Sequence, residues 1–351
     1  MRQVRCTWSI IEERYIVSPN KLSIVALIVT LCLVGCDLSD STPVSPTDSP
    51  STPYETATST LAPAETPTAS LTPFLVGPSD TPIPTLEPTS EIAVVFAVIG
   101  DYGSGNRTEG VVADLVHTWQ PDFIITTGDN NYPDGSEDTI DATIGQFYHD
   151  FIYPYAGSFG EGADQNRFFP SLGNHDWMTD DASPYLDYFT LPGNERYYDF
   201  TWGPLHLFAV DSDSNEPDGV GRSSKQAEWL QTALAESTLP WKIVYMHHPP
   251  YSSGLHGSVT WMRWPFRDWG AMAVLAGHDH TYERLLIDGM LYFINGLGGG
   301  NIYPFNERLD GSQVRYNDDY GAMRVEATSK RINFQFITHD GEVIDSYEIE
   351  K

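Results

Sequence analysis

Four short apolar runs in this chain each lead into an aspartate or a histidine, and that repetition constrains the fold more than any other feature. Ile92–Ile99 leads into Gly100-Asp101, and Pro121–Thr127 into Gly128-Asp129. Trp241–Met246 leads into His247, and Ala271–Ala276 into Gly277-His278-Asp279-His280. Continuous apolar segments of this length, bounded by turns, predict strands buried on both faces. Between the first two lies a helical pattern through Val111, Val112, Leu115 and Val116. A strand–helix–strand unit implies parallel pairing through a right-handed crossover. His206–Val210 predicts another strand, and Ser224–Ser237 an amphipathic helix with Ala227, Leu230, Ala233 and Leu234 on one side. Near the C-terminus, residues 322–327, 331–337 and 343–349 alternate in polarity, which predicts an antiparallel meander. The expected class is α/β, with two packed mixed β-sheets flanked by helices in a domain spanning residues 91–351.

Sites in open α/β sheets form outside the carboxyl ends of the strands, where the loops converge. A lone Gly-Asp after a strand is usually a turn or a helix cap. Two aspartates and two histidines, each ending a separate strand, instead point to a metal site. Glycine suits the position before such a ligand, because without a Cβ the chain can turn sharply off the strand.

Hydrophobic residues make up 40% of the 351, enough for a full core. With 19 Lys+Arg against 48 Asp+Glu, the formal charge is −29. A nucleic-acid partner is therefore not expected, since it would need a basic face. The acidity reads as solubility. The three cysteines, Cys6, Cys32 and Cys36, all precede the folded region, so neither a disulfide framework nor a thiolate site is expected there.

Lys21 precedes an apolar run from Leu22 to Val34, which has the basic and apolar regions of a secretory signal and is short for a membrane span. Leu33-Val34-Gly35-Cys36 resembles a bacterial lipobox. By that resemblance residues 1–35 are a signal peptide and Cys36 is lipidated, anchoring the chain to a membrane outside the cytoplasm. An uncleaved anchor helix is the competing reading, with the same topology. Residues 36–90 are rich in Ser, Thr and Pro and read as an extended linker, too poor in apolar side chains to offset the entropy of ordering.

Five ordered blocks carry a family resemblance: Asp101-Tyr102-Gly103, Gly128-Asp129-Asn130-Asn131-Tyr132, Gly173-Asn174-His175-Asp176, Val244–His247 and Gly277-His278-Asp279-His280. Together they resemble the calcineurin-like metallophosphoesterases. Tyr132, three residues after Asp129, makes the set similar to the purple acid phosphatases, of the smaller single-domain, tartrate-resistant type. The resemblance implies a four-layer α/β/β/α sandwich and hydrolysis of phosphate monoesters at a dinuclear site, with a metal-bound hydroxide as nucleophile. It implies one metal on Asp101, Tyr132 and His280, another on Asn174, His247 and His278, and Asp129 bridging. Anionic oxygen donors in the first set suit Fe(III); the neutral donors of the second suit divalent Fe, Zn or Mn. If Tyr132 is only a core aromatic, the pair is an ordinary divalent one. His175 and His256 resemble the family's substrate-facing histidines, although a surface histidine is nearly as good a reading of His256. His248, directly after His247, is expected to point elsewhere by strand alternation. Asp279, Asn130 and Asp176 are expected to orient ligands. A phosphodiesterase or nucleotidase on the same scaffold remains the alternative, and a non-catalytic surface-binding lipoprotein a more distant one.

Overall fold

A computed structural model describes residues 93–351; the expected signal peptide, Cys36 and the linker lie outside the described residues. The strands run in the order β1 (Val94–Ile99), β2 (Phe123–Thr126), β3 (Phe168–Pro170), β4 (Tyr198–Trp202), β5 (Leu205–Ala209), β6 (Trp241–Tyr245) and β7 (Ala273–Ala276). They continue with β8 (Tyr282–Ile287), β9 (Met290–Asn295), β10 (Ser312–Tyr316), β11 (Gly321–Ala327), β12 (Arg331–Thr338) and β13 (Val343–Glu350). Two mixed sheets result, with strand orders β13-β12-β11-β1-β2-β3 and β10-β8-β9-β7-β6-β5-β4. In the first, β1, β2 and β3 are parallel and the C-terminal meander joins antiparallel to β1. In the second, β5, β6, β7 and β9 are parallel.

Side-chain alternation shows why the parallel strands read as unbroken apolar runs. Ile243, Tyr245, Leu275 and Phe293 face the core between the sheets, where they join Phe96, Val98, Phe123, Phe334 and Phe336. Val244, Val274 and Ile294 take the opposite face and pack in a second cluster with Ala227, Leu230 and Leu234 of the helix Lys225–Glu236. Both faces are therefore dry, and each fully buried Leu, Ile or Phe contributes about 1.5–3 kcal/mol. The helix Arg107–Thr118 makes the β1–β2 crossover and buries Val112, Leu115 and Val116. Both helices are capped at their N-termini by a side-chain oxygen. Asn106 Oδ1 accepts the Thr108 N–H at 2.8 Å, and Ser224 Oγ that of Ala227 at 3.1 Å. This is the α/β architecture expected, with helices flanking two packed mixed sheets.

The first sheet delivers Asp101 after β1, Asp129 after β2 and Asn174 after β3, while the second delivers His247 after β6 and His278 and His280 after β7.

Candidate metal centre

Two groups of donor atoms form at the seam between the sheets. Asp101, Asp129 and His280 bring ligand atoms within 4.8 Å of one another, and so do His247, His248 and His278. The Tyr132 hydroxyl joins the first group, 3.0 Å from Asp129 Oδ2, 3.1 Å from His280 Nε2 and 3.5 Å from Asp101 Oδ1. Asn174 Oδ1 joins the second, 3.0 Å from His247 Nε2, which is 3.1 Å from His278 Nδ1. Asp129 lies between them, with Oδ2 toward Tyr132 and Oδ1 3.4 Å from His247 Nε2.

The chemistry of these contacts fits cations. His247 Nδ1 is 2.8 Å from the Thr127 carbonyl, which can only accept, so the proton sits on Nδ1. The lone pair on Nε2 then faces two further acceptors, Asn174 Oδ1 and Asp129 Oδ1. His280 repeats the pattern: Nδ1 binds the Asn301 carbonyl, and Nε2 faces Asp101 Oδ1 at 3.4 Å. Carbonyl-anchored imidazoles whose free nitrogens converge on carboxylates are the usual arrangement around a bound metal. Among the described residues, the ion-pair partners of Asp101 and Asp129 are histidines alone. Burial opposes charge on His247, but Asp129 and Asp101 outweigh it and raise its pKa. Burial, and then Asp129 and Asp101, push the Tyr132 phenol well above its ordinary value. Tyr132 therefore needs a neighbouring cation to ionise.

The backbone is also held out of its usual range. Asp101, Asp129 and His278 adopt φ of 53°, 52° and 69°. Left-handed conformations of non-glycine residues cost about 1–3 kcal/mol each and gather where function fixes a side chain. Around them, Asn130 Nδ2 donates to Asp176 Oδ2 and to the Ser171 carbonyl, each at 2.8 Å, and the Gly173 N–H donates to Asp176 Oδ2 at 2.8 Å. Asn130 and Asp176 thus brace the loops after β2 and β3 against each other.

Two expectations need correction. His248 does not point away: its ring centroid is 4.5 Å from that of His278, and its Nδ1 is 3.0 Å from Ser212 Oγ. Strand alternation fails there because β6 ends at Tyr245 and the chain has already bent. Asp279 does not orient the flanking histidines through its carboxylate, which instead accepts bonds from the loop that carries His256.

A groove of about 400 Å³ opens over the first group, lined by Tyr132, His175, His280, Asn106, Asn301 and Tyr303 among others. His175 reaches it with Nδ1 bound to the Pro133 carbonyl and Nε2 3.9 Å from Asp129 Oδ2. His256 is exposed and lies over His278, with 4.4 Å between ring centroids. The structure thus gathers every candidate site residue of the folded region. Sequence reasoning missed Tyr303, stacked on His280 at 4.1 Å, and Asn301, although Asn301 directly follows the glycine-rich run that ends at Gly300. In the Trp261–Trp269 segment, Trp261 is exposed 6.0 Å from His248, whereas Trp264 is buried packing.

Comparison with known proteins finds the calcineurin-like phosphoesterase family over residues 94–282, more than half of the chain. The chain belongs to that family. Among curated relatives of this phosphoesterase, purple acid phosphatase 3 of Arabidopsis thaliana is 24% identical over 73% of this chain and 77% of its own length. Tartrate-resistant acid phosphatase type 5 of Mus musculus is 25% identical over 62% and 73%. Among solved structures, the purple acid phosphatase PPD1 of yellow lupin seeds superposes with a TM-score of 0.60 at 18% identity, covering 75% of this chain and 55% of that one. GAP50, described as the anchor in the inner membrane complex of Plasmodium, reaches 0.57 at 19%, covering 74% and 89%. This phosphoesterase thus resembles the purple acid phosphatases, and its family supports phosphoester hydrolysis at a metal site.

Proposed function

We propose that the protein is an acid phosphatase that cleaves phosphate monoesters at a dinuclear centre. Asp101, Tyr132 and His280 would hold one ion and Asn174, His247 and His278 the other, with Asp129 bridging. The observation that carries this reading is the position of Asp129, whose two carboxylate oxygens face the two donor groups separately. Two anionic carboxylates and a phenol suit Fe(III) on the first side, and neutral donors suit divalent Fe, Zn or Mn on the second. Such a pair of ions, when bound, neutralises phosphoryl oxygens and makes water acidic enough to attack.

The chain's own residues do the rest. Asp129 and Asp101 are fixed by backbone N–H groups, of His175 at 3.0 Å and of His278 at 2.9–3.0 Å, so the charge that holds the ions is already oriented. His175, fixed at Nδ1 by Pro133, presents Nε2 to the groove, where its protonated form can donate to a phosphoryl or leaving oxygen. His256, over His278, is the second proton donor. The groove supplies no Lys or Arg among its lining residues, so one phosphoryl group bound at the centre suits it better than a polyphosphate chain.

The test is hydrolysis of p-nitrophenyl phosphate beside its bis-p-nitrophenyl diester, from acid to alkaline pH, with the purified metal-loaded protein. Monoester turnover highest at acid pH is expected. Diester preference would move the function to a phosphodiesterase. Turnover of neither with both ions bound would favour a non-catalytic role.

The same reading keeps the domain extracytoplasmic, tethered by lipidated Cys36 through the linker of residues 36–90. The apolar run ending at Cys36 and the Ser/Thr/Pro composition support it. Metabolic labelling with a fatty acid should mark the wild type and not Cys36→Ser; labelling of both would refute it.

A further inference from the structure

The loop that carries His256 is fastened to the segment between the two candidate ligand histidines. Asp279 lies between His278 and His280 and is fully buried. Its Oδ1 accepts the backbone N–H of His256 at 2.7 Å, and its Oδ2 accepts that of Gly257 at 3.1 Å and the hydroxyl of Ser252. Ser252 Oγ in turn accepts the Gly254 N–H at 2.9 Å. The wrap is so close that a Cβ at residue 254 would lie 2.3 Å from Asp279 Cγ, so only glycine fits there. Four residues after Asp279, the buried Glu283 in β8 accepts the Ser253 N–H at 2.7 Å and its hydroxyl at 2.6 Å. From outside, Asn306 donates to the carbonyls of Ser253, Gly254 and Leu255.

The stretch Ser253–Gly257 has little apolar anchorage of its own. Leu255 is 45% exposed and His256 is exposed. Its conformation is therefore set by charge-assisted hydrogen bonds to two buried carboxylates. A carboxylate can accept from three directions at once, whereas a carboxamide has one acceptor oxygen and would set its own N–H against a backbone N–H.

We propose that Asp279 is the positioning residue for His256: it fixes the distance from the proton donor to the ions held by the neighbouring histidines, with Glu283 as the second anchor. This rests on the phosphatase reading above. A donor to the leaving oxygen matters most when the leaving group is a poor one, so the role shows in leaving-group dependence rather than in overall rate.

The experiment compares kcat/KM for p-nitrophenyl phosphate, phenyl phosphate and an alkyl phosphate, in wild type, His256→Ala, Asp279→Asn, Ser252→Ala and the double variant Asp279→Asn/His256→Ala. Metal content is measured on each. Asp279→Asn should lose a few-fold on the nitrophenyl ester and about a hundredfold on the alkyl ester, as His256→Ala does. The double variant should be no worse than His256→Ala, because the two residues act through one interaction. Ser252→Ala, which changes no residue of the ligand segment and removes one bond to Asp279, should shift the dependence the same way, with metal content unchanged. Equal losses on all three esters in Asp279→Asn, or metal loss there with a wild-type dependence in Ser252→Ala, would overturn the assignment while leaving the phosphatase reading intact. A metal-loaded wild type that cleaves none of the monoesters would overturn both.

Discussion

Replacing Gly277 by alanine asks how much the centre depends on the close approach of its own backbone. A Cβ there would lie 2.4 Å from Asp101 Oδ2, 2.8 Å from the Thr127 carbonyl oxygen and 2.9 Å from Thr127 Oγ1. Cβ atoms essentially never come within 3.0 Å of a heavy atom outside their own residue and its chain neighbours, so the Asp101 carboxylate must retreat by about 0.6 Å or more. The alternative is that the Thr127 carbonyl moves, and it is the group that fixes His247 at Nδ1. Either response drags a proposed ligand out of place. A misplacement of about 1 Å costs on the order of a hundredfold in rate, so kcat/KM should fall by roughly 30- to 100-fold. Overpacking should cost about 1–3 kcal/mol as well, seen as a drop of several degrees in Tm. Gly110→Ala is the control. It lies in the helix Arg107–Thr118, and its added methyl would meet only Phe147, at 3.4 Å. That change should raise stability by about 0.4–1 kcal/mol with turnover unchanged. The assay is steady-state hydrolysis of p-nitrophenyl phosphate with metal analysis and thermal melting on the same samples. Wild-type kcat/KM and metal content in Gly277→Ala would refute the placement of Asp101 in the centre.

A phenolate on Fe(III), as proposed, would absorb visible light by charge transfer, so Tyr132→Phe should lack that band when iron is loaded and should bind metal at least about tenfold more weakly; a spectrum like that of the wild type would count Tyr132 as a core aromatic. Arg284 holds the buried Asp345 through two bonds, at 2.7 Å and 3.1 Å, so Arg284→Ala leaves its charge unpaired, with only the Tyr282 hydroxyl still donating to it at 2.8 Å. A loss of about 3 kcal/mol in a denaturant titration is expected, and a loss under about 1 kcal/mol would show that solvent reaches Asp345. Burial tends to raise the Asp141 carboxyl, but donors from Tyr155, Ser158 and Tyr188 outweigh it and hold its pKa below the usual range. A depressed folded-state pKa stabilises above the unfolded value and loses that contribution as pH falls through the folded one. Asp141→Asn should therefore melt below wild type at about pH 6, with the gap closing toward about pH 3; a constant gap would contradict the linkage.

The strands that deliver the centre are legible in sequence because they are buried on both faces, as at Ile243, Val244 and Tyr245, and so stay apolar throughout. The capped helix Lys225–Glu236 and the meander follow equally directly from their periods. β3 does not: three residues carry no period, yet it delivers Asn174 and His175. β8 and β9 are missed although Asp288-Gly289 between them, with φ of 52° and 73°, is a strong hairpin signal. In the centre, the five blocks name the donors, but not how they are held. The anchoring of the His256 loop on Asp279 joins segments more than twenty residues apart, and no local pattern encodes such a contact. The direction of His248 depends on a bend after β6 that its neighbours do not signal.

The donors of the centre come half from one sheet and half from the other, with Asp129 reaching across. Ions bound there would act as rivets between two layers otherwise joined by an oily interior. Ligand present at a hundred times its dissociation constant adds about 2.7 kcal/mol to the folded state, and here that gain would fall on the join between layers. Stripping the ions should loosen the sheets against each other before either sheet unravels. Conversely, a cavity opened deep in the interlayer packing, at Phe96 or Tyr245, would let one half of the ligand set slide past the other. Natural variation in this oily interior is thus answerable to the chemistry at its rim.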